Sequence, residues 1–412
     1  MRARLERDFE RFKRELPSDL AGYIRGAYRI DLTARYLGRT LPHPIGKGSG
    51  QLSLSLEQLE TDRAAGLAFV VLKTVIAEDP AGERSMGAWA VHESRMKVER
   101  RRSASDREGW TVTWKGRGWD RSFDEYLVLV RAAADCTRSG EIVAVPSVKY
   151  HLPRLGEPFR TEEYRYTTER LSQAWGSGEL PLEKDFSPTL AGNELADERA
   201  QILRWLREVP GQVRAAAGAT PVRVVLKLMN ARFDDGFQLE MMEAAGSADA
   251  LVAFNRLWDP EQGVAFGGFD LSDRNLRVLE AARRRDVSTP PLIGTGNVST
   301  GRLVLDYARL GCESVQLHTF FQLPLSEYPA TDGSRPQRAL HALLFHPIDG
   351  LIAGMLDLEA NGLLERQGGE LRFLDLQTST EGKSNHESTK SLPRAERGET
   401  ERKKKKSSNT IN

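Results

Sequence analysis

The sequence predicts an α/β protein built as a (β/α)8 barrel, and three observations carry that reading. Eight short runs rich in apolar and β-branched residues recur along the chain, helical patterns separate them, and most runs are nearly continuous rather than alternating. Continuous apolar runs are what parallel strands buried on both faces require. A doubly wound open sheet is the competing arrangement.

The chain has 412 residues and a 40% hydrophobic composition, enough for one large core or two ordinary ones. It opens with "MRARLERDFERFKREL", where Leu5, Phe9, Phe12 and Leu16 fall at helical spacing. Residues 1–40 are therefore expected to be a helical extension packed on the body. The barrel is expected over 41–325. Its strands are "HPIGKGSG" (43–50), "FVVLKTV" (69–75), "IVAVPSV" (142–148) and "LPLEKDF" (180–186), then "VRVVLKLM" (222–229), "ALVAFNRL" (250–257), "PLIGTGNV" (291–298) and "SVQLHTFF" (314–321). Helical patterns fall at 55–65, 123–137, 162–174, 195–217, 236–245, 272–285 and 300–310.

Residues 76–120 are too long for a simple loop after the second strand. The stretches "GAWAVHESRMKVERR" and "GWTVTWKGRGW" read as an antiparallel insertion there, standing over the barrel mouth. Residues 326–376 read as helix followed by a hairpin turning at Gly368–Gly369, a cap on the barrel. Residues 377–412 are polar and end in "ERKKKKSSNTIN", a composition too poor in apolar side chains to offset its ordering entropy, so disorder is expected.

Charge and cysteine usage exclude several function classes. With 59 basic against 58 acidic residues the chain has no overall bias toward nucleic acid, and no specific nucleic-acid partner is expected. Cys136 and Cys312 lack paired spacing and are expected to be buried, reduced thiols; the histidines lack metal-ligand spacing, so no metal is expected. The N-terminus is too charged for a signal peptide and no apolar run approaches the ~18 residues of a membrane span. The expectation is a cytoplasmic protein, with a homodimer as its candidate assembly.

In barrels of this kind the reactive groups collect at the C-terminal ends of the strands. Lys73 closes the second strand and Lys227 lies in the fifth, where an unpaired ammonium is expensive, so an anionic or hydrogen-bonding group is expected to meet each. The seventh strand ends "IGTGNVSTG", a glycine-rich turn before a helix near Ser299, and such a turn suits a phosphate. The stretch "LEKDFSPTLAG" places Ser187 in a tight loop after the fourth strand.

Together these ends resemble the dihydroorotate dehydrogenase family of flavin mononucleotide (FMN) barrels over roughly residues 40–325. The resemblance rests on "PIGKGSGQLS" with "GLAFVVLKTV", on "LEKDFSPTLAG", on "VVLKLM" followed by "ALVAFNRL", and above all on "PLIGTGNVSTGRLVLDYARLGCESVQLHTF". It implies that Gly48, Ser49 and Gly50 contact the flavin through the first strand end, that Lys73 and Thr74 lie against it, and that Lys227 reaches the polar edge of its ring system. It assigns Asn255 to the cofactor and substrate, and Gly267, Gly268, Gly294, Gly296, Asn297 and Thr319 to the ribityl phosphate. Ser187 falls at the family's catalytic Cys or Ser, which takes a proton from one substrate carbon while hydride leaves the next for flavin N5.

The family holds its substrate with asparagines, and here Lys184 and Thr189 stand in two of those positions while Arg256 follows the retained Asn255. Ammonium and guanidinium groups favour a carboxylate or phosphate, so the expected substrate is dihydroorotate or a related small anion. The resemblance implies a role in pyrimidine biosynthesis and leaves the electron acceptor open among fumarate, a nicotinamide cofactor and quinone. Two other functions fit the same residues: a lyase or aldolase in which Lys73 or Lys227 forms a Schiff base, and a non-catalytic flavin- or phosphate-binding relative.

Overall fold

The structure, a computed structural model, describes residues 1–86, 95–102, 108–115, 118–186, 198–230, 234–259, 264–268 and 271–378. Met1–Ser379 is one compact unit; the expected tail falls almost wholly in a separate unit, Thr380–Asn412, which lies outside the described residues.

The expected N-terminal helix is α1 (Arg2–Arg11), which buries Leu5. Asp8 faces inward with it because the hydroxyls of Tyr23 and Tyr28 donate to its carboxylate, at 2.7 and 2.6 Å. Those tyrosines sit on α2 (Leu20–Tyr28), capped by Asp19, whose side chain accepts from the Gly22 amide. A short strand β1 (Ile30–Asp31) follows, then the antiparallel pair β2 (Ala34–Tyr36) and β3 (Arg39–Leu41). Tyr36 is fully buried with its ring 4.6 Å from that of Phe69.

Strands and helices then alternate: β4 (Ile45–Lys47), α3 (Leu56–Ala64), and the two pieces β5 (Phe69–Val71) and β6 (Val75–Ile76). An excursion, β7 (Arg95–Arg102) and β8 (Glu108–Lys115), separates these from α4 (Phe123–Ser139). Next come β9 (Val143–Val145), β10 (Ser147–Lys149), α5 (Thr161–Trp175), β11 (Leu180–Asp185), α6 (Arg199–Ala216) and β12 (Val222–Lys227). The run continues through α7 (Asp235–Ala244), β13 (Ala250–Ala253), β14 (Leu257–Asp259), β15 (Val264–Gly268) and α8 (Leu271–Arg284) to β16 (Leu292–Gly294), α9 (Gly301–Arg309) and β17 (Cys312–Leu317).

Ten of these strands form one parallel sheet in the order β6-β10-β11-β12-β13-β16-β17-β4-β5-β9. β5 and β6 belong to one expected strand and β9 and β10 to another, so the two ends of the sheet return to the same stretches of chain. The result is a curled, barrel-like α/β fold. Every residue of β4, β5, β11 and β13 is buried, as a sheet covered on both faces requires.

Several strands are shorter than their sequences suggest, for local reasons. Pro146 has no N–H to give the ladder and splits β9 from β10. The Lys73 amide donates to Ser53 O at 2.7 Å instead of to a neighbouring strand, which parts β5 from β6. The seventh strand stops at Gly294 because Gly296 and Asn297 adopt left-handed φ of 96° and 50°. The eighth stops at Leu317, and Thr319–Gln322 forms a 3-10 turn where the sequence suggested strand. The sixth ends at Ala253, and Leu257 instead begins a strand of a second sheet.

That second sheet is antiparallel, in the order β14-β15-β8-β7. It contains the insertion expected after the second strand, β7 paired with β8, and joins to it a second excursion, β14 and β15, of which the expected sixth strand (250–257) took in only Leu257. Parts of the insertion, 87–94, 103–107 and 116–117, lie outside the described residues.

The C-terminal cap is helical, α10 (Arg335–Phe345) and α11 (Leu351–Ala360), and packs on α1 and α9. The expected hairpin at Gly368–Gly369 is reduced to a single bridge between Gln367 and Glu370. Its second arm, β18 (Leu371–Arg372), pairs in parallel with β1, because the return strand finds its partner 341 residues back (Ile30 with Leu371) rather than beside the turn. A last turn, α12 (Asp375–Thr378), ends the described chain. Among the described residues no helix is long and apolar enough to cross a membrane, and both Cys136 and Cys312 are buried, free thiols.

The cap approaches α9 so closely that a Cβ at Gly301 would lie 1.9 Å from the Leu351 amide nitrogen and 2.4 Å from Leu343 O. Backbone cannot yield as a flexible side chain can. Gly301→Ala is expected to lower stability by about 1–3 kcal/mol, read as a reduced urea midpoint with an unchanged slope.

Candidate functional site

The C-terminal ends of the parallel strands carry a continuous polar network. Its centre is Glu183 on β11, fully buried. Ser147 Oγ donates to one Glu183 oxygen at 3.1 Å and Gln316 Nε2 to the other at 3.0 Å. Lys227 Nζ lies 3.7 Å from Glu183 and donates to Gln316 Oε1 at 3.2 Å. From Ser147 the chain of hydroxyls continues to Thr74 at 3.0 Å and on to Ser49 at 2.8 Å. Residues at the ends of β4, β5, β10, β11, β12 and β17 are thereby tied to one carboxylate.

The first strand end is held close to the eighth. The Gly48 amide donates to Leu317 O at 2.8 Å, and a Cβ at Gly50 would stand 1.8 Å from His318 Nε2, so this approach needs glycine. His318 is half-buried, and its desolvation with the fields of Arg256, Lys227 and Lys73 holds its imidazole well below the usual range. It is neutral at pH 7.

Beside this network stand cations. Lys73 is 6% exposed and makes no side-chain hydrogen bond or ion pair within the described residues. Burial, reinforced by Arg256 and Lys149 and opposed by Asp120 and Asp185, brings its ammonium down to about 7. Lys184 is also brought down to about 7, first by burial and then by Lys149, with Asp185 and Glu163 opposing. Its Nζ donates to Asp185 O at 3.2 Å and sits 4.5 Å from the Phe186 ring centroid.

Asp185 organises the outer part of the cluster. Burial would raise its carboxyl, but Lys149, Lys227, Arg256 and Lys184 together hold it below the ordinary range. Lys149 Nζ is 3.6 Å from it and Asn255 Nδ2 donates to it at 3.2 Å. Asn255 is fixed in turn by its amide, which donates to Leu228 O at 2.7 Å, and by its carbonyl, which accepts from Asn230 Nδ2.

The glycine-rich turn after β16 is rigidly supported. Asn275 Nδ2 donates to Phe254 O and Thr295 O at 3.0 and 2.8 Å, and the Tyr307 hydroxyl donates to Thr295 O and Gly296 O at 2.7 and 3.0 Å. Gly296 has φ 96°, and a Cβ there would lie 2.3 Å from Asn275 Nδ2. Asn297 Nδ2 donates to Ser272 Oγ at 3.3 Å. The helix end behind this turn is less available than the sequence suggested: the Arg302 amide donates to Asp349 O and the Leu303 amide to Thr300 Oγ1. Gly267 and Gly268 lie on β15 opposite Val112 and Thr111, and a Cβ at Gly268 would meet Thr319 at 2.9 Å.

Of the residues singled out from sequence, Ser49, Thr74 and Lys227 join the Glu183 network, with Gly48 and Gly50 at the approach of the first and eighth strand ends. Lys73, Lys184, Asn255 and Arg256 surround Asp185, in direct contact or through their fields. Gly294, Gly296 and Asn297 form the seventh strand end, and Gly268 with Thr319 a separate approach. Ser187 and Thr189 lie outside the described residues. Sequence reading missed Glu183, Asp185, Gln316, Ser147 and Lys149. The signal was present: ionisable residues in "LEKDF" and "VPSVKY" interrupt strands that are otherwise apolar.

Comparison with known proteins adds no family: no protein-family model matches the chain, and no curated protein matches it.

The buried lysines make a pH-dependent statement. Lys73 ionises near 10.5 when exposed and near 7 here, so the folded state binds fewer protons than the unfolded one between those values. The penalty is complete below pH 7, on the order of 5 kcal/mol, and fades as pH rises toward 10. Lys73→Met is therefore expected to be more stable than the unsubstituted protein at pH 6, with the difference shrinking by pH 10 in urea unfolding curves.

Proposed function

We propose that the chain is an FMN-dependent oxidoreductase of the dihydroorotate dehydrogenase type, a (β/α)8 TIM barrel that oxidises dihydroorotate or a related small anion. The observation that carries this reading is the Lys73 ammonium, buried beside the Glu183 network without a described partner. Retaining such a group costs stability, and a bound electron-rich ligand would return it. The residues present are compatible with a flavin: buried cations could answer developing negative charge, glycines admit close backbone approach, and Gly294, Gly296 and Asn297 offer a turn that could take a phosphate.

When bound, the flavin would supply the hydride acceptor. The chain's residues prepare the rest. Lys227, 3.7 Å from Glu183, would face the polar edge of the ring system and stabilise charge there. Ser49 and Thr74 would hold the opposite side through their shared hydrogen bond. Asn255, oriented by Asp185, would meet the substrate, with Lys184 and Arg256 receiving its anionic group. Phe186 is buried and its amide donates to Lys227 O at 3.0 Å, so the backbone is fixed immediately before Ser187. Ser187 Oγ would accept the substrate proton, which requires a site that excludes water.

A second reading has one observation in its favour. With its ammonium brought down to about 7, Lys73 has a large uncharged fraction at neutral pH and could attack a carbonyl. Borohydride trapping of a substrate adduct on Lys73 would support a Schiff-base lyase over flavin chemistry.

The purified protein is expected to be yellow and to lose its visible absorption anaerobically when the substrate is added. Ser187→Ala should retain the colour and slow that bleaching by about 10²–10⁴-fold. A colourless protein that FMN cannot reconstitute would end the flavin reading, and unchanged bleaching in Ser187→Ala would remove Ser187 from the chemistry.

A further inference from the structure

The hydrogen bonds that reach Glu183 from the first strand end have a direction. An ionised carboxylate only accepts, so Ser147 Oγ donates to it. Each hydroxyl carries a single proton; Thr74 Oγ1 therefore donates to Ser147 Oγ at 3.0 Å, and Ser49 Oγ to Thr74 at 2.8 Å. Ser49, Thr74 and Ser147 thus form an unbroken file of donors ending on one acceptor. Ser147 is held in line from behind, since the Tyr126 hydroxyl donates to its carbonyl and accepts from its amide, both at 3.1 Å.

The two ends of the file differ. Glu183 is fully buried and Thr74 and Ser147 are buried with it, whereas Ser49 is only half-buried. Lys227 faces Glu183 from β12, Gln316 from β17 and Ser147 from β10. Asp185 stands two residues on along β11, and Tyr36 on β2 lies within the field of Glu183. Burial, with Asp185 adding to it, raises the carboxyl, and Lys227, Gln316 and Ser147 oppose that. Once protonated, Glu183 can donate to Ser147, and the whole file reverses toward Ser49. A second negative charge against Lys227 favours that state, because one ammonium cannot neutralise two buried anions.

We propose that Ser49, Thr74 and Ser147 relay a proton between the strand-end site and Glu183, which takes it up when negative charge arrives at Lys227. The inference rests on the flavin reading for the source of that charge: hydride transfer carries two electrons and one proton to the cofactor, one net negative charge. A proton from water balances it. Ser49 takes that proton and passes its own to Thr74, Thr74 passes its own to Ser147, and Ser147 passes its own to Glu183. Each hydroxyl ends with one proton and Glu183 becomes the neutral acid. Reoxidation of the cofactor returns the proton along the same file.

The test follows the carbonyl stretch of protonated Glu183 by infrared spectroscopy after a downward pH jump on the purified, cofactor-free full chain, with Glu183→Gln identifying the band. Thr74→Val, close in shape but unable to pass a proton, should slow the appearance of the band by about 100-fold, and Thr74→Ser should restore the original rate. A band that forms equally fast in Thr74→Val, or that never forms at any pH at which the protein is folded, would overturn the proposal. Should Glu183→Gln not fold, isotopic labelling of glutamate identifies the carboxyl bands, and their dependence on Thr74 decides. In the FMN-loaded chain, reduction by dithionite should take up about one proton more per flavin than in Glu183→Gln, read with a pH indicator. Equal uptake would overturn the coupling to Lys227. Failure to bind FMN would sink the flavin reading instead and leave the infrared rates to decide the relay.

Discussion

Glu183 is the constraint on which the site depends. A carboxylate buried at the middle of a parallel sheet is tolerable only when its lone pairs are occupied and a cation is near. Here Ser147, Gln316 and Lys227 meet those needs from three other strands, and Thr74 and Ser49 extend the connection to two more strand ends. The same contacts that satisfy one charge therefore fix the relative positions of the strand ends. Removing Glu183 would leave Lys227 unanswered and release Gln316 from the first strand end, where it stands behind Gly48.

The network satisfies Glu183 but leaves other charges uncompensated. Lys73 and Lys184 are each buried deeply enough to be held near 7, and neither has a carboxylate at contact distance among the described residues. Such groups lower the stability of the unliganded protein, and stability surrendered at a strand end is the usual signature of a site shaped for a ligand. The electrostatics also rank the carboxyls: Glu183 is pushed up by burial despite Lys227, whereas Asp185, amid four cations, is held down. Two acids separated by one residue on β11 thus take different roles, one structural and one facing the outer cluster.

Much of this was legible in the sequence. All eight expected strands occur, because long apolar runs can be buried on both faces only in a covered parallel sheet, and the helices between them fall where their periodicity placed them. The errors cluster where backbone geometry rather than side-chain pattern decides. Pro146, Ser53 and the left-handed Gly296 and Asn297 broke strands whose sequences read as continuous. The pairing of β15 with β8 joins segments about 150 residues apart, which no local pattern reveals. At the site, Lys73 and Lys227 stood out as charges in apolar strands and Lys184 through the resemblance, but Glu183 and Asp185 carry the same in-strand signal and were passed over. A rule that every buried cation needs a named partner would have found them.

The central claim is that the uncompensated Lys73 ammonium is held for an electron-rich cofactor. Titration of the cofactor-free protein with FMN, followed by quenching of flavin fluorescence, tests it most directly. A saturable complex that Lys73→Met weakens by about 10- to 100-fold, without loss of folded structure, is the predicted result. Failure of the folded protein to quench FMN, or equal affinity in Lys73→Met, would contradict it.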